Sequence, residues 1–412
     1  SEMCIRDSST SMLIWMVGIR VQCCTNVHRS TFNFQIGNLI MQNSFNSLQE
    51  LATEVERLDN IKRDYTLPSM AGFVEPEGTH MNLTSHGYIN GGSFHGRMTD
   101  QFVKLFCGWS GMSHNYHKLM AERGQHALIA ENMNTWLKNP PKGSGNRLFR
   151  TYDHGGDGNV FRSFHSDRFL TFDNFDLLDG IKPVLERLEE RMGEVQFVSM
   201  GLTDDKMYLK IIFPEVQGEI LKQGRSVGDI VKSGVVISNS EVGMGSIVVS
   251  PFIYRLICLN GMVMNDLGIR KRHLGQTRAV GEIAYKRDTI EAMHEALKKQ
   301  LRDHVEECTQ PEQFNKAVRK IQDAADDIVE EGKEDDVVAG LGKRYSLADS
   351  EVKKAKRSLF ENGDFSRWGF ANAITHIANT CDNYDRASDL QETGGKVIQM
   401  PSREWAVLAK AA

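Results

Sequence analysis

The spacing of apolar residues changes near residue 288, and this change limits the possible folds more than any other feature of the chain. Before it, apolar and polar residues alternate or form β-branched runs, which are patterns typical of strands. These strand-like segments are residues 195–200, 207–213, 234–238 and 246–264. After it, apolar residues recur at helical spacing in residues 289–305, 311–331 and 365–380. The sequence therefore predicts a sheet-rich centre followed by a helical C-terminal region.

The N-terminal half adds a hairpin and several helices to this plan. Residues 147–152 and 159–164 flank a glycine-rich turn at residues 154–158, which is the pattern of a β-hairpin. Helices are predicted from the capping box Ser47-Leu48-Gln49-Glu50, near residues 99–106, over residues 117–137, and after a cap at Asn174, with a kink expected at Pro183. The predicted class is α+β: a central, mostly antiparallel sheet with hairpins backed by helices, followed by a helical C-terminal region.

Three segments are expected along the chain. Residues 1–40 are predicted to be a non-native or disordered extension, because Ser1 to Ser8 resemble translated sequencing adaptor and no sustained periodicity precedes Met41. Residues 41–287 form the predicted α+β domain. Residues 288–412 form the helical region, which is expected to pack on that domain.

Composition excludes several classes of protein. The seven cysteines include no C-x-x-C pair, which indicates a reducing cytosol rather than a disulfide framework. The apolar run Met12–Val17 is too short to span a membrane, so no membrane partner is expected. The net charge of −5 gives no global attraction to polyanions, so any nucleic-acid surface must be a local patch.

Motifs for cofactor and metal chemistry are missing from the sequence. It contains no phosphate-binding G-x-x-x-x-G-K-[ST], no third glycine after Gly243 and Gly245, and no G-x-S-x-G elbow. The segment 243–245 is therefore interpreted as a turn. Several histidines lie near one another in the sequence without completing a ligand pattern, namely His80, His86, His95, His114 and His117. Neither a cofactor nor a resident metal is predicted.

Positive charge is concentrated in one block. Residues 222–287 carry a net charge of +6, whereas residues 288–342 carry −8 and are interpreted as solvated acidic helices. The basic run Arg270–His273 and Arg278 follow a predicted strand, and arginines also alternate with aromatic residues in the predicted hairpin. Single-strand binders often combine stacking and charge in this way. The predicted nucleic-acid-binding residues are Arg147, Arg150, Arg162, Arg255, Arg270, Lys271, Arg272, His273 and Arg278.

A second interpretation of the same arginines stays open. The hairpin could be half-buried, with its charged side chains forming an outer face and no ligand. Arg255 interrupts an apolar strand, so partial burial against a fixed partner, Glu241 or a phosphate, is expected for it.

Three stretches of the sequence resemble a phage and plasmid family known as domain of unknown function 932. They are Arg162–Phe169 running into Asp173–Leu178, Gly234–Gly243 continuing through Tyr254–Met262 to Arg272–Gly275, and Trp368–Thr375. Because the family has no established reaction, the resemblance implies a mobile-element setting in a bacterial host cell and no catalytic residues. Single-strand annealing recombinases offer a further likeness, at the level of fold analogy alone.

Three hypotheses about function follow. The first is an accessory factor of DNA replication or recombination that binds single-stranded DNA through the basic residues. The second is an enzyme of unrecognised class, with or without a divalent cation, that uses Asp153, His154, Asp157, His165 and Asp167. The third is a structural or assembly protein, with self-association through its acidic helices. A basic groove, converging acids and histidines, or a broad apolar patch would favour the first, second and third, respectively.

Overall fold

The computed structural model describes residues 44–84, 93–141, 145–221, 228–256, 260–264, 268–271 and 287–410. The predicted extension at residues 1–40 lies outside the described residues. So do three of the predicted binding residues, Arg272, His273 and Arg278.

The N-terminal half forms a six-stranded sheet, here called sheet A. Its strands are β1 (Lys62–Leu67), β2 (Gly72–Val74), β3 (His80–Thr84), β4 (Ser93–Met98), β5 (Arg147–Tyr152) and β6 (Val160–Ser166), in the order β1-β5-β6-β4-β3-β2. All neighbours pair antiparallel except β4 and β6, which are parallel. The predicted hairpin is confirmed as β5–β6, whereas β1 to β4 were not predicted because their short runs carry many polar residues.

One face of sheet A packs on helices. They are α2 (Asp100–Ser110), α3 (His114–Glu122) and α4 (His126–Lys138), and their core residues include Phe102 and Phe106. Phe149, Phe161 and Phe164 from β5 and β6 meet them there. The single helix predicted over residues 117–137 is wrong, because Gly124 adopts a φ of +69° and separates α3 from α4.

The centre of the chain forms a second sheet, sheet B. Its strands are β7 (Gln196–Leu202), β8 (Met207–Ile220), β9 (Asp229–Asn239), β10 (Ile247–Arg255), β11 (Asn260–Val263) and β12 (Ile269–Lys271). The order is β11-β10-β9-β8-β7, and β12 pairs with β10 on the same side as β11. Every pairing in it is antiparallel. The predicted β7–β8 hairpin is confirmed.

The first face of sheet B is covered by α1 (Leu48–Ile61), α5 (Asn174–Met192) and α6 (Arg287–Cys308). The Ser47 hydroxyl accepts a hydrogen bond from the Glu50 amide at 3.1 Å, as the capping box predicted. Helix α5 begins after Asp173 rather than after a cap at Asn174, and it continues through Pro183.

The C-terminal helices build a core of their own against the far end of sheet B. They are α7 (Pro311–Asp326), α8 (Glu334–Arg344), α9 (Asp349–Asn362), α10 (Arg367–Ala378), α11 (Tyr384–Ile398) and α12 (Ser402–Lys410). Trp368 and Phe370 pack there with Val231 and Ile253 of the sheet. The α+β class and the helical C-terminal region are confirmed, although the strands form two sheets rather than one. None of the described helices has both the length and the apolar character that a membrane span requires.

Candidate nucleic-acid interface

Arg150 is fully buried between sheet A, the start of α5 and the segment that follows β9. Its side chain is 0% exposed. It donates to Asp173 at 2.7 and 2.9 Å, to Asp64 at 3.0 Å and to the Glu241 carbonyl oxygen at 2.7 Å. Burial alone would lower the pKa of Arg150, but the carboxylates of Asp173 and Asp64 raise it well above its usual value. This guanidinium is held by the protein's own acids.

Arg162 lies beside it and is buried as well. It forms an ion pair with Glu241 and stacks over the Tyr152 ring, with 3.8 Å from its guanidinium carbon to the ring centroid. Glu241 also accepts a hydrogen bond from the Asn174 amide at 2.8 Å. Arg150, Arg162, Asp173 and Glu241 are called the arginine cluster below. They link sheet A, α5 and sheet B, so two of the predicted binding residues are placed inside the protein.

Asp173 connects this cluster to α1. Lys62, the first residue after α1, donates to Asp173 at 2.5 Å while Arg150 donates from the other side. Burial would raise the pKa of Asp173, but the two cations lower it well below the usual range. The carboxylate is therefore ionised throughout the physiological range, as the pairing requires.

Arg255 forms a second buried ion pair, near the C-terminal helices. It donates to Asp229 at 3.0 Å, and the indole of Trp368 donates to the same carboxylate at 3.0 Å. The expectation of a buried Arg255 with a fixed partner is met, but the partner is Asp229. Asp229 is the partner because it faces Arg255 from the adjacent strand β9. Glu241, the partner suggested from the sequence, forms its ion pair with Arg162 instead.

Arg147 is half-buried on the helix side of sheet A. Its guanidinium carbon lies 4.6 Å from the Phe164 ring centroid and 5.4 Å from that of Trp109. Burial lowers the pKa of Arg147 to about 10, with Asp167 opposing the decrease. The interleaving of arginine with aromatic residues, predicted from the sequence, is thus a set of internal contacts.

Two further basic positions among the described residues lie at the edge of sheet B. Arg270 and Lys271 belong to β12, and their backbones pair with Val248 and Ile247 at the start of β10. The turn before β10 contains the exposed Gly243 and Gly245. We call residues 243–246 the glycine loop; its position confirms the predicted turn.

Two lysines that no sequence motif indicated flank the glycine loop. The Lys104 ammonium on α2 lies 3.8 Å from the Met244 sulfur. Lys206, in the turn between β7 and β8, is so close that a side chain at Gly245 would place its Cβ 3.3 Å from the Lys206 Cε. No local signal could have found this pair, because Lys104 reaches the loop from 140 residues away.

Acidic groups also line this part of the surface. The Ser240 hydroxyl donates to the Asp205 carbonyl at 2.7 Å, which joins the loop to the turn that holds Lys206. Burial raises the pKa of the Asp205 carboxyl, and Asp385 and Asp204 raise it further, while Lys206 and Lys104 oppose the rise. Both lysines, which flank the loop, thus lower the pKa of this carboxyl.

The acids and histidines of the enzyme hypothesis do not converge. Asp153, His154 and Asp157 follow β5 at one end of the hairpin, whereas His165 and Asp167 lie at the other end of β6. Seven residues of strand separate these ends by roughly 20 Å. His165 is stacked on Phe169 with centroids 3.8 Å apart. Within the described parts of the chain, no group of three or more histidines, cysteines and acids could hold a metal ion.

The fold and these contacts define a two-sheet α+β protein whose layers are joined by buried arginine–carboxylate pairs. The chain belongs to the family described as domain of unknown function DUF932, whose model matches residues 163–394, more than half of the chain. The matched region begins one residue after Arg162 and contains Asp173, Glu241, Arg255 and Trp368. No curated protein and no solved structure matches the chain.

Proposed function

We propose that the chain binds single-stranded nucleic acid at the glycine loop and at the adjoining edge of sheet B. The observation that carries this proposal is that three separate elements bring basic residues close to an exposed glycine-containing turn. The side chains of Lys104 on α2 and Lys206 in the β7–β8 turn lie against it, and the backbone of β12, which contains Arg270 and Lys271, pairs with the start of the strand that follows it.

Phosphate groups fit this arrangement for two reasons. Gly243 and Gly245 carry no side chains, so a phosphate can approach the exposed backbone of the turn closely, although the amides of Gly243 and Met244 already donate to Ser240. Lysine and arginine supply the counter-charge and release bound salt ions when a phosphate binds. Phosphates also occur in every nucleotide, so this surface fits a strand of any sequence. Such a protein serves as an accessory factor in the replication or recombination of phage or plasmid DNA.

Removing the four cations together is expected to weaken binding and to flatten its salt dependence. For single strands, the magnitude of the slope of log K against log salt is about 0.7 per neutralised phosphate. The slope of the variant Lys104→Ala/Lys206→Ala/Arg270→Ala/Lys271→Ala should therefore be smaller in magnitude by up to about 3. Fluorescence anisotropy of a labelled single-stranded oligonucleotide, repeated across salt concentrations, measures this. The same titration with RNA compares the two polynucleotides.

The matched control removes four positive charges elsewhere. Lys353, Lys354, Lys356 and Arg357 are exposed on α9, and their replacement by alanine should leave the salt slope unchanged. The control variant should keep the wild-type melting temperature, because its exposed charges contribute little to stability. Wild-type protein that fails to bind at about 50 mM salt, where such contacts are strong, would refute the proposed function.

A further inference from the structure

On the second face of sheet A, the side chains along strands β2 to β4 are exposed or partly exposed among the residues that the structure describes. Along these strands, buried residues that face the helices alternate with residues that point the other way. The outward side chains include Phe73, His80, Asn82, His95 and Arg97, which we call the open face. Phe73 is 46% exposed, and the His95 side chain is 41% exposed.

Strand register fixes how these side chains are arranged. Phe73 is opposite Asn82, which in turn is opposite His95, and His80 is opposite Arg97. Residues directly opposite in a pair of antiparallel strands lie on one face. Phe73 and His95 are therefore two strands apart, about 10 Å, with Asn82 between them.

The rings of His80 and His95 stack on each other. Their ring centroids are 5.4 Å apart, and their planes differ by 11°. The Glu75 carboxylate holds two of the outward side chains: it lies 3.3 Å from the His95 Nε2 and accepts a hydrogen bond from the Asn82 side chain at 2.7 Å. The open face thus carries a phenyl ring and a stacked imidazole pair on a rigid sheet.

The open face ends where the arginine cluster begins. Arg97 pairs in register with Val160 at the start of β6, and further along β6 the same sheet face is covered by the buried Arg162 and its partner Glu241. Burial raises the pKa of Asp204, and the nearby guanidinium of Arg97 opposes that rise. The β7–β8 turn, which carries both Asp204 and Lys206, therefore lies between Arg97 on the open face and the glycine loop.

We infer that the open face is a base-stacking platform for single-stranded nucleic acid. Unpaired bases stack on Phe73 and on the His80–His95 pair, while Arg97 and the cations of the glycine loop hold the phosphates. Every base has an aromatic face, so the platform accepts strands of any sequence. Duplex bases are already stacked on one another and are excluded. This inference rests on the proposed function and adds the surface that contacts the bases.

The test compares a single-stranded oligonucleotide with an abasic strand of equal length and charge. Stacking contributes roughly tenfold in affinity for each base that stacks, so the wild-type protein should prefer the base-bearing strand by about tenfold or more. Phe73→Ala/His95→Ala should lose this preference and keep its affinity for the abasic strand. Phe73→Trp should keep the preference, because a larger aromatic surface replaces the ring.

Controls separate this inference from the proposed function. Tyr116→Ala removes a ring that is 53% exposed on α3, and its preference should remain that of the wild type. Wild-type protein that binds neither strand overturns both proposals. Wild-type protein that binds both strands equally, or that binds duplex as tightly as single strand, overturns the platform alone. So does a double variant that keeps the preference, or an open face that is buried in a dimer of the free protein.

Discussion

Replacing Arg150 with alanine is expected to lower the free energy of unfolding by about 3–5 kcal/mol. The substitution leaves Asp173 and the Glu241 carbonyl buried without the guanidinium that now bonds to both. Asp173 keeps Lys62 as a counter-charge but loses both charge-assisted hydrogen bonds from Arg150, and such a loss is costly at a buried carboxylate. Since Arg150 joins sheet A, α5 and the end of β9, the loss should weaken the packing between the two sheets.

Urea denaturation followed by circular dichroism measures this change. Arg150→Lys retains the charge but cannot donate to Asp64, Asp173 and Glu241 in the same fork geometry, so it should recover only part of the lost stability. Arg63→Ala, at an exposed position on the neighbouring strand β1, is the control and should change stability by less than about 0.5 kcal/mol. An Arg150→Ala protein as stable as this control would contradict the structural role assigned to the arginine cluster.

Replacing Lys210 with methionine is expected to stabilise the protein near neutral pH. Lys210 lies on β8, is 3% exposed, and faces α11, where its ammonium donates to the Ser388 hydroxyl at 3.2 Å and lies 4.8 Å from the Tyr384 ring centroid. Burial lowers the pKa of Lys210 to about 7, and the more distant Glu392 opposes this only weakly. Methionine has a similar length and no charge to desolvate.

The effect of Lys210 depends on pH in a defined direction. Its pKa is about 7 in the folded state, against about 10.4 in an unfolded chain, so between these values the unfolded state binds more protons. The stability of the wild type therefore rises with pH across this window relative to Lys210→Met. Lys210 lowers the free energy of unfolding by its full amount below pH about 7, where it is charged in both states. About 2 kcal/mol of this loss should disappear between pH 7 and 9.

Chemical denaturation of both proteins at several pH values gives the difference directly, and the pH dependence of all other groups cancels. Tyr208, Asp385 and Glu392 surround the same interface and are unchanged in the variant. Lys353→Met, at an exposed position, is the control and should differ little from the wild type at any of these pH values. A Lys210→Met protein whose stability advantage does not shrink as the pH rises would contradict the burial of a neutral lysine.

The sequence by itself determined the elements whose signals are local. The β5–β6 and β7–β8 hairpins follow from strand periodicity on both sides of a turn, and the start of α1 follows from the capping box at Ser47. The change to helical spacing near residue 288 determined the helical C-terminal region. Each of these signals lies within about 20 residues, the range over which periodicity and turn chemistry act.

Only the tertiary structure decided what the arginines do. A strand whose outer face meets water and a strand whose outer face meets another layer have the same local sequence pattern. Such patterns surround Arg150, Arg162 and Arg255. Their acidic partners lie 23, 79 and 26 residues away, and which partner an arginine meets depends on how sheets and helices pack. Arg255 illustrates this, because either Glu241 or a phosphate suited its sequence environment and the structure supplies Asp229.

The candidate binding surface was likewise decided by packing. The basic run at Arg270 and Lys271 was visible in the sequence, but its neighbours Lys104 and Lys206 were not, because three elements distant in the chain meet at the glycine loop. The open face depends on strands too short and too polar to be predicted, and on the exposure of Phe73 and His95 among the residues that the structure describes. Solvent exposure is a property of the assembled layers, so no local pattern of residues can determine it.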